Sequence, residues 1–319
     1  MSQDRETSQQ LALENERRTR LAVPVTAGGV IYLLGAIIVA NQLQGLPTVG
    51  VIQGLEPALK GQAHPAESPR AAEVRYLSHH TFGLIAGGVL QAIGFAALTL
   101  ALLFLLDAIR RRAPEPSPAA RWLVMVGGVG AALISVAGQI VRAIRTHEFV
   151  AGHNFTDHAV EKAAYTGVAN VTVEFLTLLL PLLLVIGLVL TVLRGARVGL
   201  MPRWLRTFGI IGGVLMLPFF TATLYTLQVI PAGFLVALGF LFMGRLPGGD
   251  PPAWAAGEAI PWPSATRGGG APEPQSANGG GGSPGGDAEN ELAENGGQRA
   301  LTGGGASSSR RRKKRRGRG

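Results

Sequence analysis

The chain has 319 residues, 47% of them hydrophobic and 15% charged, and it contains no cysteine, which excludes disulfides, thiolate metal sites, iron–sulfur clusters and cysteine nucleophiles. Its net charge of +9 is localised: the ten residues from Arg310 to Gly319 hold eight Lys or Arg, and setting those eight aside leaves +1 for the rest. Apolar residues gather in long uninterrupted runs between Ala22 and Met243, a distribution that suits a hydrocarbon solvent and excludes an ordinary water-soluble domain.

Residues 1–20 carry Glu14, Glu16, Arg17, Arg18 and Arg20, too much charge for the apolar part of a removable signal, so they read as a cytoplasmic segment and the first apolar run as a retained anchor. A bilayer core about 30 Å thick takes about 20 apolar residues in a helix. Five runs satisfy this: Leu21 to Leu43, Thr81 to Leu106, Trp122 to Val141, Gly167 to Leu193 and Thr207 to Leu227. A sixth, Val229 to Gly244, is shorter, and a re-entrant hairpin is its alternative reading. Residues 245–319 are rich in Pro, Gly, Ala and Asn and read as a disordered cytoplasmic tail, with Trp254 and Trp262 at the membrane interface. The predicted fold is therefore all-α: a polytopic transmembrane helix bundle of about six spans over residues 21–244, with a disordered C-terminal tail.

Positive charge orients the bundle. With the N-terminus inside, 23 Lys or Arg fall on the cytoplasmic side and six outside (Lys60, Arg70, Arg75, Arg142, Arg145 and Lys162). This predicts a multi-pass protein of a bacterial cell membrane with both termini cytoplasmic. The helices running outward repeat a pattern: Arg20 precedes Gly28 and Gly29, Arg121 precedes Gly127 and Gly128, and Arg203 precedes Gly212 and Gly213, with Arg121-Trp122-Leu123 matched by Arg203-Trp204-Leu205. Three helical hairpins of common origin would leave such an echo, and chance similarity in a chain with abundant Gly is the rival reading. The spacings Gly83 to Gly87 and Gly209 to Gly213 predict close helix packing.

The start of the fifth run, Met201-Pro202-Arg203-Trp204-Leu205, the Pro/Trp stretch Gly248 to Ser264 and the basic end together resemble a group of six-span membrane proteins of actinobacteria and their relatives. The resemblance covers the whole chain and implies the six-span topology. That group has no assigned activity, so the resemblance implies nothing about chemistry.

Glu174 stands out because a carboxylate within a span is costly unless it is paired, protonated or wetted. Asn170, Glu174, Thr177 and Pro181 form one stripe on the fourth span. Ser135, Gln139 and Arg142 share a face of the third, and His80, Gly83, Gly87, Gln91 and Gly94 a face of the second. Gln91 and Glu174 lie at similar depth, with Arg142 as the expected counter-charge of Glu174. Glu174, Asn170, Arg142, Gln139, Gln91 and His80 thus form the candidate polar site in the outer leaflet. One reading is an interhelical network that fixes packing; the other is an outward vestibule for a proton, ion or small ligand. All six histidines (His64, His79, His80, His147, His153 and His158) fall in or beside the outer segments, without a metal-ligand spacing. No catalytic motif is present, and no metal or other cofactor is implied.

Three roles follow: a transporter- or channel-like bundle with an outward polar site, a scaffold or assembly factor working through its tail, and a metal- or haem-handling enzyme using the outer histidines. For the tail, Arg310, Arg311, Arg312, Lys313, Lys314, Arg315, Arg316 and Arg318 supply positive charges worth about 1 kcal/mol each near an anionic leaflet. Residues 265–309 as coil reach roughly 35 to 40 Å, so anionic lipid headgroups of the same bilayer are the expected partner. Nucleic acid ranks second, since no aromatic residue interleaves the cluster. A peptide of residues 265–319 is expected to bind anionic vesicles in a salt-sensitive manner and more tightly than RNA at equal ionic strength; tighter RNA binding reverses the assignment.

Overall fold

The computed structural model describes residues 2–47, 50, 59–61, 68, 70–113, 118–152, 156, 168–217, 225–247 and 249–260. Every regular element among them is helical. In chain order these are α1 (Ser2–Gln44), α2 (Ala71–His79), α3 (Thr81–Arg112), α4 (Pro118–Ala151), α5 (Val168–Arg197), α6 (Arg203–Leu215), a 3₁₀ turn (Tyr225–Gln228), α7 (Val229–Phe242) and the short α8 (Pro252–Ala256). These belong to one compact unit, residues 1–265; a second unit, Thr266–Gly319, lies outside the described residues together with the polybasic cluster.

Four helical segments are long and apolar enough to cross a membrane: Gln9–Gln44, Thr81–Arg112, Pro118–Ala151 and Val171–Arg197. Their outward faces carry large exposed apolar side chains, among them Val30 and Leu34 on α1, Leu100 on α3, Leu133 on α4 and Ile186 on α5. Rows of such side chains are stable against lipid and unstable against water, so the chain is an integral membrane protein with an all-α bundle fold.

Six helices close into a ring, each packed on its sequence neighbours: α1 on α3, α3 on α4, α4 on α5, α5 on α6, α6 on α7, and α7 back on α1. The three glycine pairs sit at these seams. A Cβ on Gly28 would collide with Ala97 of α3, and one on Gly29 would stand 2.9 Å from the Ala232 carbonyl of α7. Gly128 faces Thr99 of α3, while a Cβ on Gly127 would stand 2.8 Å from the Leu183 carbonyl carbon of α5. Gly212 faces Pro231 of α7 at 3.4 Å and Gly213 faces Leu188 of α5 at 3.1 Å, a looser version of the same arrangement. In each of the helices α1, α4 and α6, one glycine of the pair meets one flanking helix and the second meets the other. The expected small-residue approaches also form, Gly87 against Val39 and the Gly35 carbonyl, Gly83 against Gln42, Gly209 against the Phe234 ring and Gly213 against Leu188.

Three boundaries differ from the sequence expectation. The N-terminal segment, expected to end at residue 20, is the first part of α1, which runs unbroken through Pro24. Its charges explain this, because Glu14 and Arg18 are buried and bonded rather than solvated. The described helices in the fifth and sixth expected spans have 13 and 14 residues. Helix α6 ends at Leu215 rather than Leu227, because Pro218 disfavours helical geometry in the residue before it. The tail, expected to start at 245, is instead packed and ordered as far as residue 260: Leu246, Ala253 and Trp254 are buried in the main core.

That last packing builds a polar knot at the arginine-rich end. Arg112 Nη1 donates to Glu14 Oε1 at 2.7 Å and its Nε to the Ala253 carbonyl at 3.0 Å. Arg18 pairs with Asp250 and donates to the Leu241 carbonyl at 2.5 Å. The guanidinium carbons of Arg18 and Arg112 stand 4.6 and 5.1 Å from the Trp254 ring centroid, and the indole N–H donates to the Leu200 carbonyl at 2.9 Å. These bonds tie α1 and the end of α3 to the end of α7 and the segment after it.

Two stability predictions follow, both read by thermal or denaturant unfolding in detergent. Gly127→Ala forces backbone apart and is expected to lose about 1–3 kcal/mol, whereas Gly138→Ala, whose Cβ would meet only Val173 at 3.4 Å, is expected to be neutral or to gain up to about 1 kcal/mol. Glu14→Ala strands a fully buried Arg112 side chain and is expected to cost about 3–5 kcal/mol. Its control is Glu16→Ala, which removes only an exposed pair with Arg20 and is expected to change stability by less than about 0.5 kcal/mol.

Candidate functional site

The bundle is filled differently at its two ends. From the arginine-rich end to its middle the interior is solid: Leu98, Leu102, Leu105, Leu184, Leu188, Leu235 and Leu238 are fully buried in one cluster. Above them Tyr32 of α1 and Gln228 of the 3₁₀ turn, exposed by only 3% and 2%, meet across the ring with the Tyr32 hydroxyl donating to Gln228 Oε1 at 2.6 Å. Phe95 packs its edge against Tyr32, centroids 5.5 Å apart. This pair forms a floor.

Over the floor lies a chamber of about 420 Å³. Its polar walls come from Gln91 of α3, Ser135, Gln139 and Arg142 of α4, and Glu174 and Thr177 of α5, with Tyr32 and Gln228 below. A second chamber of about 360 Å³ lies toward α2 and is lined by Glu73, Leu77, Arg145 and Thr146. The two share Leu43, Gly138, Arg142, Val173, Glu174 and Thr177, so Arg142 and Glu174 stand at the neck between them.

Helix periodicity explains why these side chains meet. Ser135, Gln139 and Arg142 repeat at intervals of four and three, as do Glu174, Thr177 and Pro181 at three and four, so each set shares one helix face. Gly88 lets α3 approach α4: a Cβ there would stand 2.7 Å from the Ser135 carbonyl, and Ser135 Oγ donates to the Gly88 carbonyl at 3.3 Å. Pro181 lies inside α5 and cannot donate to the Thr177 carbonyl, which leaves that oxygen without its helical partner beside the chamber.

Four of the six residues singled out from the sequence, Gln91, Gln139, Arg142 and Glu174, are brought together. Asn170 lies one turn before Glu174 on α5, and its side chain is outside the described residues. His80 is excluded: it sits in the break between α2 and α3, its ring stacked on Tyr76 at 3.9 Å and its Nδ1 2.8 Å from the Tyr76 carbonyl, and it lines neither chamber. The expected pairing of Arg142 with Glu174 is not formed. Both residues are exposed, and among the described residues neither has an ion-pair partner within 4.0 Å. The buried Gln139 Oε1 likewise accepts no hydrogen bond.

Tyr32 and Gln228 are the site residues the sequence reading missed. Tyr32 is the single phenol in its apolar run, and Gln228 falls between the fifth and sixth runs. Among the described residues no group of three His, Asp or Glu could hold a metal ion; His64, His153 and His158 fall outside them. No family model, curated protein or solved structure matches this chain.

The geometry can solvate a small polar guest. Amide, hydroxyl and carbonyl groups line the inner chamber, and one charge of each sign stands at its neck, while apolar packing closes the far side.

Proposed function

We propose that this protein is a six-span bacterial membrane protein with cytoplasmic termini, whose blind vestibule binds a small polar solute from the outer side as the first step of transport. The observation that carries the reading is the convergence of Gln91, Gln139, Arg142 and Glu174, from three helices, on one cavity at the end away from the arginine clusters. A packing role for Glu174 would need a partner that satisfies its carboxylate, and the described residues supply none. The solid core beneath Tyr32 and Gln228 favours a carrier that changes shape over an open channel. In this reading the polybasic end is an accessory anchor on anionic lipid; a scaffold role would make it the principal functional element.

The absence of cysteine permits a direct test, since any introduced thiol is unique. Ser135→Cys, in the chamber wall, is expected to react in intact cells with a small membrane-impermeant thiol reagent, whereas Leu184→Cys, in the core, is expected to stay unmodified. Glu174→Gln is expected to leave stability within about 0.5 kcal/mol of the parent while abolishing solute protection of Ser135→Cys. Labelling only from the cytoplasmic side inverts the topology, and marked destabilisation by Glu174→Gln restores the packing role.

A further inference from the structure

The neck between the chambers specifies a solute class. This inference rests on the outward binding-site reading above and adds to it the chemistry of the guest. Arg142 and Glu174 line both chambers, face the same space from α4 and α5, and do not neutralise each other. Each belongs to a helix of a hydrocarbon-embedded bundle, where an uncompensated charge is costly. A simple cation would cover Glu174 and leave Arg142 bare; a simple anion would do the reverse. The wider vestibule keeps the same balance, with Glu73 and Arg145 in the outer chamber and Arg145 also 3.9 Å from Glu148.

Acceptor-bearing residues line the chamber from both α5 and α4. Thr177 follows Glu174 by one helical turn, and its carbonyl receives no N–H from position 181, which is Pro. Gln139 Oε1, on the facing helix, is buried without a donor. A carboxylate, a carbonyl and an amide oxygen together suit a group with several N–H donors, which is a primary or secondary ammonium and not a quaternary one. Arg142, with its fork of donors, suits a carboxylate. The inner chamber of about 420 Å³ sits in the lower part of the usual small-molecule range of roughly 300–1,000 Å³.

We infer that the vestibule binds a small ammonium–carboxylate zwitterion, its carboxylate on Arg142 and its ammonium on Glu174, the Thr177 carbonyl and Gln139.

The test uses purified full-length protein in detergent and calorimetric titration with five probes: norvaline, 5-aminopentanoate, butylamine, pentanoate and glycine betaine. At least one of the two ammonium zwitterions is expected to bind, and the cation, the anion and the quaternary betaine are each expected to bind at least about tenfold more weakly, the loss of one charge-assisted contact. Glu174→Gln and Arg142→Gln are each expected to weaken the zwitterion about tenfold or more while leaving the unliganded unfolding temperature close to that of the parent. If either variant fails to fold, Gln139→Leu replaces it, with weaker binding of the ammonium zwitterion as the expected result. Butylamine binding as tightly through Glu174 alone, or pentanoate through Arg142 alone, overturns the zwitterion and leaves a binding site for a simple ion. Equal binding of glycine betaine overturns the hydrogen-bonded ammonium. No binding of any probe with Ser135→Cys still labelled from outside overturns this inference alone, and no binding with Ser135→Cys unreactive removes the vestibule reading as well.

Discussion

In hydrocarbon no water is present to satisfy a backbone amide or to push helices together, so a bundle of this kind holds only as well as its helices fit. Here the fit depends on glycine. Gly28, Gly29, Gly127 and Gly128 put backbone or Cβ atoms of the next helix where a side chain would otherwise be, and Gly212 and Gly213 do so more loosely. Each costs about 1 kcal/mol in helix propensity relative to Ala, a cost offset by dispersion contacts along the seam. Because one glycine of each pair faces each neighbour, the arrangement α1–α3–α4–α5–α6–α7 closes on itself. The enclosed space is what becomes core at one end and vestibule at the other.

The two ends handle charge in opposite ways. At the arginine-rich end, Arg18 and Arg112 are buried but bonded to Asp250, Glu14 and backbone carbonyls around Trp254. Such a knot offsets the desolvation of its ions through this pairing, although Arg18 Nε and Arg112 Nη2 find no partner among the described residues, and it holds a fixed geometry. At the opposite end, Arg142 and Glu174 line both chambers without an ion-pair partner among the described residues. A closed network stabilises a shape; an open pair of charges is available to a guest. The Tyr32–Gln228 floor divides the two regimes.

The likeness among the three hairpins gains physical content from the ring. Helices α1, α4 and α6 carry the paired glycines and α3, α5 and α7 supply the surfaces they meet, so the same packing rule is applied at all six seams. The third hairpin departs most, with short helices and wider spacing at Gly212 and Gly213. It is also the hairpin that contributes Met216 and Gln228 to the chamber.

Sequence alone determined the solvent, the helical class, the positions of the four long spans and the polar faces of α3, α4 and α5. These follow from run length and the helical repeat, which are local properties. It also assembled Gln91, Gln139, Arg142 and Glu174, since depth along parallel rods can be counted in residues. What only the tertiary structure decided depends on azimuth and partners. Residue counting could not show that Glu14 and Arg18 are buried, that residues 246–260 fold back onto the bundle, that His80 turns away to Tyr76, or that Tyr32 and Gln228, distant in sequence by 196 positions, meet to make the floor. Nor could it show that Arg142 and Glu174 face one space without pairing. Charge and spacing allow both outcomes, and the side-chain positions set by neighbouring helices choose between them.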